Sequence, residues 1–312
     1  MKHRIDTGFY PGWTRKAVSF TIDDGNVKTD RIWLSYMRPA GIRGTFNLCS
    51  HNLNQLGSAE EYRAFYRGYG IANHVKYHPY CVPDGEEPRI ADGEPTDDAE
   101  IGVLFPESGI PGLYRFRRAG DGAWRKTADA ENYLRFARES REELSRFFGF
   151  PVTEFVWPFD RQNNAAVNEN LAREYESVRR SGATKDSTGF AVPRERIDWH
   201  YNANQKCLSD VSRLYEEYPD TGELTCLIVG VHSVDYEREN RWGEVADFCR
   251  RFGNQPEKYW SAPIRDLFRY ADAAKSVVVT EDRVINPSEI DLYVKVDGER
   301  RTLCAGCEMA LE

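Results

Sequence analysis

The feature that most restricts this fold is an alternation. Short apolar, β-branched runs are followed again and again by stretches of helical period. AVSFTIDD (17–24) reads as a buried strand whose C-terminal end is polar. RIWLSYMRPAG (31–41) has helical spacing and stops at Pro39 and Gly41. GTFNLC (44–49) is the next strand, and SAEEYRAFYRGYG (58–70) is a helix opened by a Ser58/Glu61 capping box and closed at Gly70. Strand, helix, strand, helix implies parallel pairing, because antiparallel neighbours need no crossover. The rhythm breaks over 80–128, where acidic PDGEEPRIADGEPTDDAE precedes basic YRFRRAGDGAWRK; this reads as an insertion or long loop near the mouth of the fold. It then resumes with helices over 128–149, 164–182, 208–218, 241–253 and 264–276, and strands over 152–160 and 223–233. From Val277 the period shortens to alternating strands with an Asp297-Gly298 hairpin signal. The expectation is an α/β barrel over 1–276, interrupted at 80–128, and a small β appendage over 277–312; a chain of 312 residues suits a barrel of about 250 plus a small addition.

Charge and cysteine usage narrow the function classes. A net charge of −8 argues against nucleic acid as a partner, since phosphate binding needs a basic face, but leaves a neutral sugar open. No stretch approaches the roughly 18 apolar residues of a membrane span, and MKHRIDTGFYPGW lacks the apolar segment of a secretory signal. The expected location is cytoplasmic, with no membrane partner. Seven cysteines without framework spacing suit a reducing compartment. Cys304-Ala-Gly-Cys307 has no second pair and no histidine partners after it, and reads as two incidental thiols in a turn.

Three polar clusters fall at or just beyond strand ends, where α/β folds build their sites: Asp23-Asp24-Gly25, His74-Val-Lys-Tyr-His78, and His232. On one helical turn His74 and His78 would point the same way, a spacing that suits a shared metal. Alone, the pair is as readily two surface histidines, and Asp-Asp-Gly as readily a simple turn. Two adjacent carboxylates after a buried strand are nevertheless costly unless a positive charge compensates them. A divalent cation on one leaves the other beside the bound water as a general base.

At this point the sequence resembles a known family. SFTIDDG resembles the TFDDG motif of polysaccharide deacetylases, carbohydrate esterase family four, and ANHVKYHP resembles that family's N-H-(S/T)-x-x-H-P motif. EFVWPFD is similar to the third motif and LIVGVHSVDYE to the last, so the likeness spans about residues 14–275. The resemblance implies an irregular (β/α) barrel of the polysaccharide deacetylase type, and an enzyme that removes acetyl groups from an N-acetylated saccharide. It implies Asp23 as base, and Asp24, His74 and His78 as ligands of one divalent ion, usually zinc. It also implies His232 as the acid that protonates the leaving amine, and the Phe159 backbone N–H as an oxyanion donor. Arg-Ile-Asp198-Trp199 resembles a segment whose Asp tunes the catalytic His and whose Trp walls the acetyl pocket. Trp157 and Trp199 could stack on a sugar, although large aromatics beside Pro are more often core or rim packing.

The departures bear on substrate. Val156 stands where the family often has an Arg that tethers the base, with Arg161 nearby as a substitute; Val75 replaces a Ser or Thr; Gly230 replaces a pocket Leu. They leave open an O-acetyl esterase, or an amidohydrolase acting on a non-sugar amide. A non-catalytic carbohydrate-binding relative is the third reading, against which Asp23 and His232 count. His3, His51 and His200 stand outside the motifs and read as surface residues.

Overall fold

A computed structural model describes the backbone of residues 3–82, 85–88, 101–107, 110–118, 124–160, 164–179, 190–191, 201–204 and 207–311. After β1 (Ile5–Phe9) comes β2 (Lys16–Ile22), which sorts its side chains with the period of two that a strand imposes. Val18, Phe20 and Ile22 pack with Trp33 and Leu34 of α1 (Val27–Met37), while Ser19 and Thr21 are buried on the opposite face. The helix starts earlier than its apolar spacing suggests, because the Asn26 side chain caps it by accepting the Thr29 N–H at 3.3 Å. β3 (Gly44–Leu48) repeats the division: Phe46 and Leu48 join the core, and Asn47 reaches across to the Thr21 hydroxyl at 2.6 Å. α2 (Ala59–Phe65) is capped by Ser58, as its sequence anticipates, and leads to β4 (Gly70–Asn73).

Within the expected insertion the described residues include four strands. β5 (Glu86–Pro88), β6 (Ile101–Glu107), β7 (Ile110–Arg118) and β8 (Trp124–Ala128) form their own antiparallel sheet in the order β5-β8-β7-β6. α3 (Ala130–Phe148) then leads to β9 (Glu154–Val156). The helix expected to reach residue 182 instead ends early: α4 (Ala165–Glu174) gives way to β10 (Ser177–Arg179), which pairs with β9 along its whole length. β11 (Phe190–Ala191), β12 (Tyr201–Asn202), α5 (Leu208–Glu217), β13 (Thr225–Val231), α6 (Ser233–Arg238), α7 (Trp242–Phe252), β14 (Trp260–Ser261) and α8 (Ile264–Lys275) follow.

The main sheet runs β10-β9-β4-β3-β2-β13-β11, with β12 against β13 and β14 against β2. Every pairing in it is parallel except that of β11. It is a curled half-barrel, and among the described residues no ladder joins β10 to β11. No helix among the described residues is long and apolar enough to cross a membrane.

β15 (Val278–Val279), β16 (Arg283–Ile285), β17 (Leu292–Val296), β18 (Glu299–Leu303) and β19 (Glu308–Ala310) form two small antiparallel sheets, β1-β17-β18 and β15-β16-β19. Asp297 and Gly298 both take positive φ, 52° and 88°, as a two-residue hairpin turn requires. Val284, Leu292, Val294 and Leu303 share a core with Ala17, Leu224 and Cys226, which lie at the N-terminal ends of β2 and β13. The C-terminal strand ends are thereby left open for chemistry. Cys304 and Cys307 are exposed on a turn closed by a 3.1 Å backbone hydrogen bond.

Candidate metal centre at the strand ends

Each sequence-derived cluster follows directly from a strand of the parallel sheet. Asp23 and Asp24 follow β2, His74 follows β4, Trp157 to Phe159 follow β9, and His232 follows β13. Parallel neighbours end at the same level, so these segments share one edge.

Asp24, His74 and His78 converge. His74 Nε2 and His78 Nε2 are 3.1 Å apart, and each is close to Asp24 Oδ1, at 3.7 and 3.4 Å. Ligand bonds of about 2.1 Å at tetrahedral angles place donor atoms about 3.4 Å from one another, so the trio has the span of a divalent-ion site. Asp24 Oδ1 is buried and accepts no hydrogen bond, an orphaned charge of the kind a cation relieves. The chemistry of the nitrogens agrees. His74 Nδ1 lies 2.8 Å from the Val156 carbonyl, which can only accept; Nδ1 therefore donates, which leaves Nε2 as the nitrogen that faces Asp24. Burial, with His74 beside it, lowers His78 to about 4, so this ring is neutral at pH 7.

The histidines do not meet on a helical turn as their spacing suggested; residues 74–79 are a loop. Left-handed backbone does the work instead: φ is 77° at Asp24, 62° at Val75, 51° at His78 and 56° at Phe159. A β-branched residue such as Val75 is strained there by about 1–3 kcal/mol. The loop is held by Asn73, whose Oδ1 accepts the Val75 N–H at 3.0 Å while its Nδ2 donates to the Ala137 carbonyl and the Tyr175 hydroxyl, both at 2.7 Å. The motif's own first residue, Asn73, thus holds the loop although Val75 has no hydroxyl to offer.

Asp23 is caged. Its Oδ2 takes a 2.6 Å ion pair from Arg179 at the end of β10, and its Oδ1 accepts from Asn47. Both ends of the pair are nearly sealed from solvent, at 3% and 6% exposure. Burial by itself would raise the Asp23 carboxyl, but Arg179, with His74 and His232, holds it well below the usual carboxylate range. The base-tethering Arg is therefore not in the third motif. Val156 contributes its carbonyl to His74 instead, the guanidinium comes from the next strand, and Arg161 lies outside the described residues.

His232 Nε2 points at the same space, 3.8 Å from Asp23 Oδ2 and 3.9 Å from Asp24 Oδ2. Its Nδ1 meets the Asn204 side-chain amide, with Asp235 Oδ2 at 3.6 Å. The next residue, Ser233, donates to the buried Asp30 carboxylate at 2.6 Å and sits 2.8 Å from Thr29, which ties the start of α6 to α1. Burial raises Asp30 to about 7.

Phe159 is left-handed and more than a third exposed, its ring 4.5 Å from that of His78. Trp157 has no exposed surface and stacks on Tyr133 at 5.8 Å, so it is core and cannot stack on a sugar. Asp198 and Trp199 lie outside the described residues. Sequence reading missed Arg179, Asn47 and Asn204. The first two had a signal: Ser177/Arg179 and Thr45/Asn47 are polar residues spaced by two inside strands, the pattern of a buried polar face.

No family model matches the sequence and no curated protein matches it. Solved structures similar to it include a peptidoglycan deacetylase, PdaC, from Bacillus subtilis (12% identity, 84% of this chain and 94% of that chain, TM-score 0.47). A family 4 carbohydrate esterase from Streptomyces lividans in complex with acetate is similar at 12% identity over 78% and 91%, TM-score 0.44. A chitin deacetylase from the fungal pathogen Colletotrichum lindemuthianum is similar at 15% identity over 84% and 89%, TM-score 0.45. Likenesses of this strength leave the functional reading to the residues themselves.

Proposed function

We propose that this protein is a metal-dependent hydrolase that removes acetyl groups from an N-acetylated saccharide. The observation that carries the reading is the convergence of Asp24, His74 and His78 at metal-binding separation, with Asp23 and His232 beside them. Asp24, His74 and His78 would hold one divalent ion, zinc by the chemistry of two imidazoles and a carboxylate, which when bound acts as a Lewis acid toward the acyl oxygen.

The protein's own groups supply the rest. Arg179 keeps Asp23 ionised at neutral pH, so a proton acceptor is always present for the attacking water. Water oxygen adds to the acyl carbon as Asp23 takes its proton. In this reading the Phe159 N–H would donate to the oxygen on which negative charge develops. His232, starting as the imidazolium, delivers a proton to the amide nitrogen through Nε2, the C–N bond breaks, and acetate and a free amine leave. The proton is needed because an unprotonated amine is a poor leaving group.

The test is acetate release from matched N-acetylated and O-acetylated saccharides by zinc-loaded protein and by its Asp23→Asn variant. Release from the N-acetylated set, lost in the variant, supports the proposal. Release from the O-acetylated set alone would favour an esterase. Undiminished release by the variant would remove Asp23 as base.

A further inference from the structure

We propose that Ser233 is a positioning residue: anchored on the buried Asp30 carboxylate, it fixes where the His232 ring stands relative to Asp23 and Asp24. The part played by His232 in the reaction rests on the function proposed above; the anchor does not.

β13 delivers the two residues to opposite sides. Val229 and Val231 share a core with Trp33 of α1 and Phe248 of α7, and strand alternation carries Ser233 to that same side and His232 to the other. The His232 backbone is still extended, at φ −111° and ψ 120°, so the alternation holds through it. Exposure agrees: Ser233 is 1% exposed and the His232 side chain 32%. The ring therefore leaves a short piece of backbone whose opposite face is sealed, and whatever grips Ser233 sets where the ring can reach.

The grip is specific. Ser233 Oγ donates to Asp30 Oδ1 at 2.6 Å, and the Thr29 hydroxyl, 2.8 Å away, donates to Ser233 Oγ in turn. Asp30 has no exposed surface, and its other oxygen accepts from the Tyr66 hydroxyl at 2.8 Å. The Asp30 N–H bonds to the carbonyl of Asn26, the residue that caps α1 directly after the Asp24-Gly25 turn. The segment that carries Asp24 and the segment that carries His232 are thus joined through a single serine hydroxyl. Two hydroxyls donate to the carboxylate, but only that of Ser233 belongs to a residue adjoining the site. From the other flank the His232 N–H is held by the Asn204 side-chain oxygen at 2.7 Å.

The experiment compares two variants that each remove one donor from the same carboxylate, Ser233→Ala and Tyr66→Phe, in the zinc-loaded full chain. Each loses one buried hydrogen bond, so both should lower Tm by a few degrees. Only Ser233→Ala should affect the chemistry. A displacement of about 1 Å costs on the order of a hundredfold in rate, so its kcat on an N-acetylated saccharide is expected to fall about tenfold or more. Its KM should change less than about twofold and its zinc content should stay the same. Tyr66→Phe is expected to keep kcat within about twofold. Crystal structures of both should show the His232 ring moved by more than about 0.5 Å in Ser233→Ala and in place in Tyr66→Phe. A wild-type kcat or an unmoved ring in Ser233→Ala, or an equal fall of kcat in Tyr66→Phe, would overturn the proposal. If the ring moves as expected and the wild type turns over no acetyl compound, the proposed function fails and the positioning role stands.

Discussion

Replacing Arg179 by Met should strand a negative charge inside the sheet. Arg179 and Asp23 are nearly sealed from water and their contact is 2.6 Å. Removing one partner of such a buried pair costs about 3–5 kcal/mol, most of it the price of leaving the other charge uncompensated. In the metal-free protein Asp23 would keep only the Asn47 donor, too little to replace a cation. For a chain of this size each kcal/mol lowers Tm by about 2–3 °C, so the midpoint should drop by about 6–15 °C. The double variant Arg179→Met with Asp23→Asn removes the stranded charge as well. It should be more stable than Arg179→Met alone, by about 2–4 kcal/mol, although it carries one substitution more. The assay is urea unfolding of the four proteins in chelator, read as a double-mutant cycle. If Arg179→Met lies within about 1 kcal/mol of wild type, or if the two substitutions simply add, the cage around Asp23 does not act as described.

Other expectations follow from burial. Glu154 is fully enclosed, and burial raises it from 4.5 to about 8 despite nearby Arg265. Across that interval the folded state holds a proton that the unfolded chain releases, so this group's contribution to stability is full below about 4.5 and falls as pH rises toward 8, by up to about 5 kcal/mol. Glu154→Gln should flatten the slope in urea midpoints measured at acidic and neutral pH; an identical slope in the variant would place its origin elsewhere. Trp157→Phe should lower stability by about 1–3 kcal/mol through lost packing yet leave KM for saccharides within about twofold. A large rise in KM would return Trp157 to the substrate surface.

Much of this was legible in the sequence because the signals were local. Apolar runs ending in Asp-Asp or His-Ser gave the core strands β2 and β13 and the edge at which their polar ends gather, and the Asp-Gly pair gave the terminal hairpin. What escaped was set by tertiary contacts. β10 is three residues long, and Glu-Ser-Val-Arg-Arg continues a helical pattern; only the ladder to β9 makes it a strand. That error hid Arg179. The spacing of His74 and His78 gave the right partners for the wrong reason, since the loop depends on left-handed Val75 and His78, which no periodicity encodes. Trp157 looked like a sugar platform because it stands in a site motif. Strand alternation turns it into the core instead, while Phe159 reaches the surface.

The central claim is a single cation shared by Asp24, His74 and His78, and calorimetric titration of chelator-treated protein with zinc tests it most directly. Wild type should bind one equivalent tightly. His74→Ala, His78→Ala and Asp24→Asn should each weaken binding by at least about tenfold while the apo proteins stay folded. Asn204→Ala should bind zinc as wild type does. Wild type that takes up no zinc or other divalent metal, or binding undisturbed by all three ligand substitutions, would contradict the account.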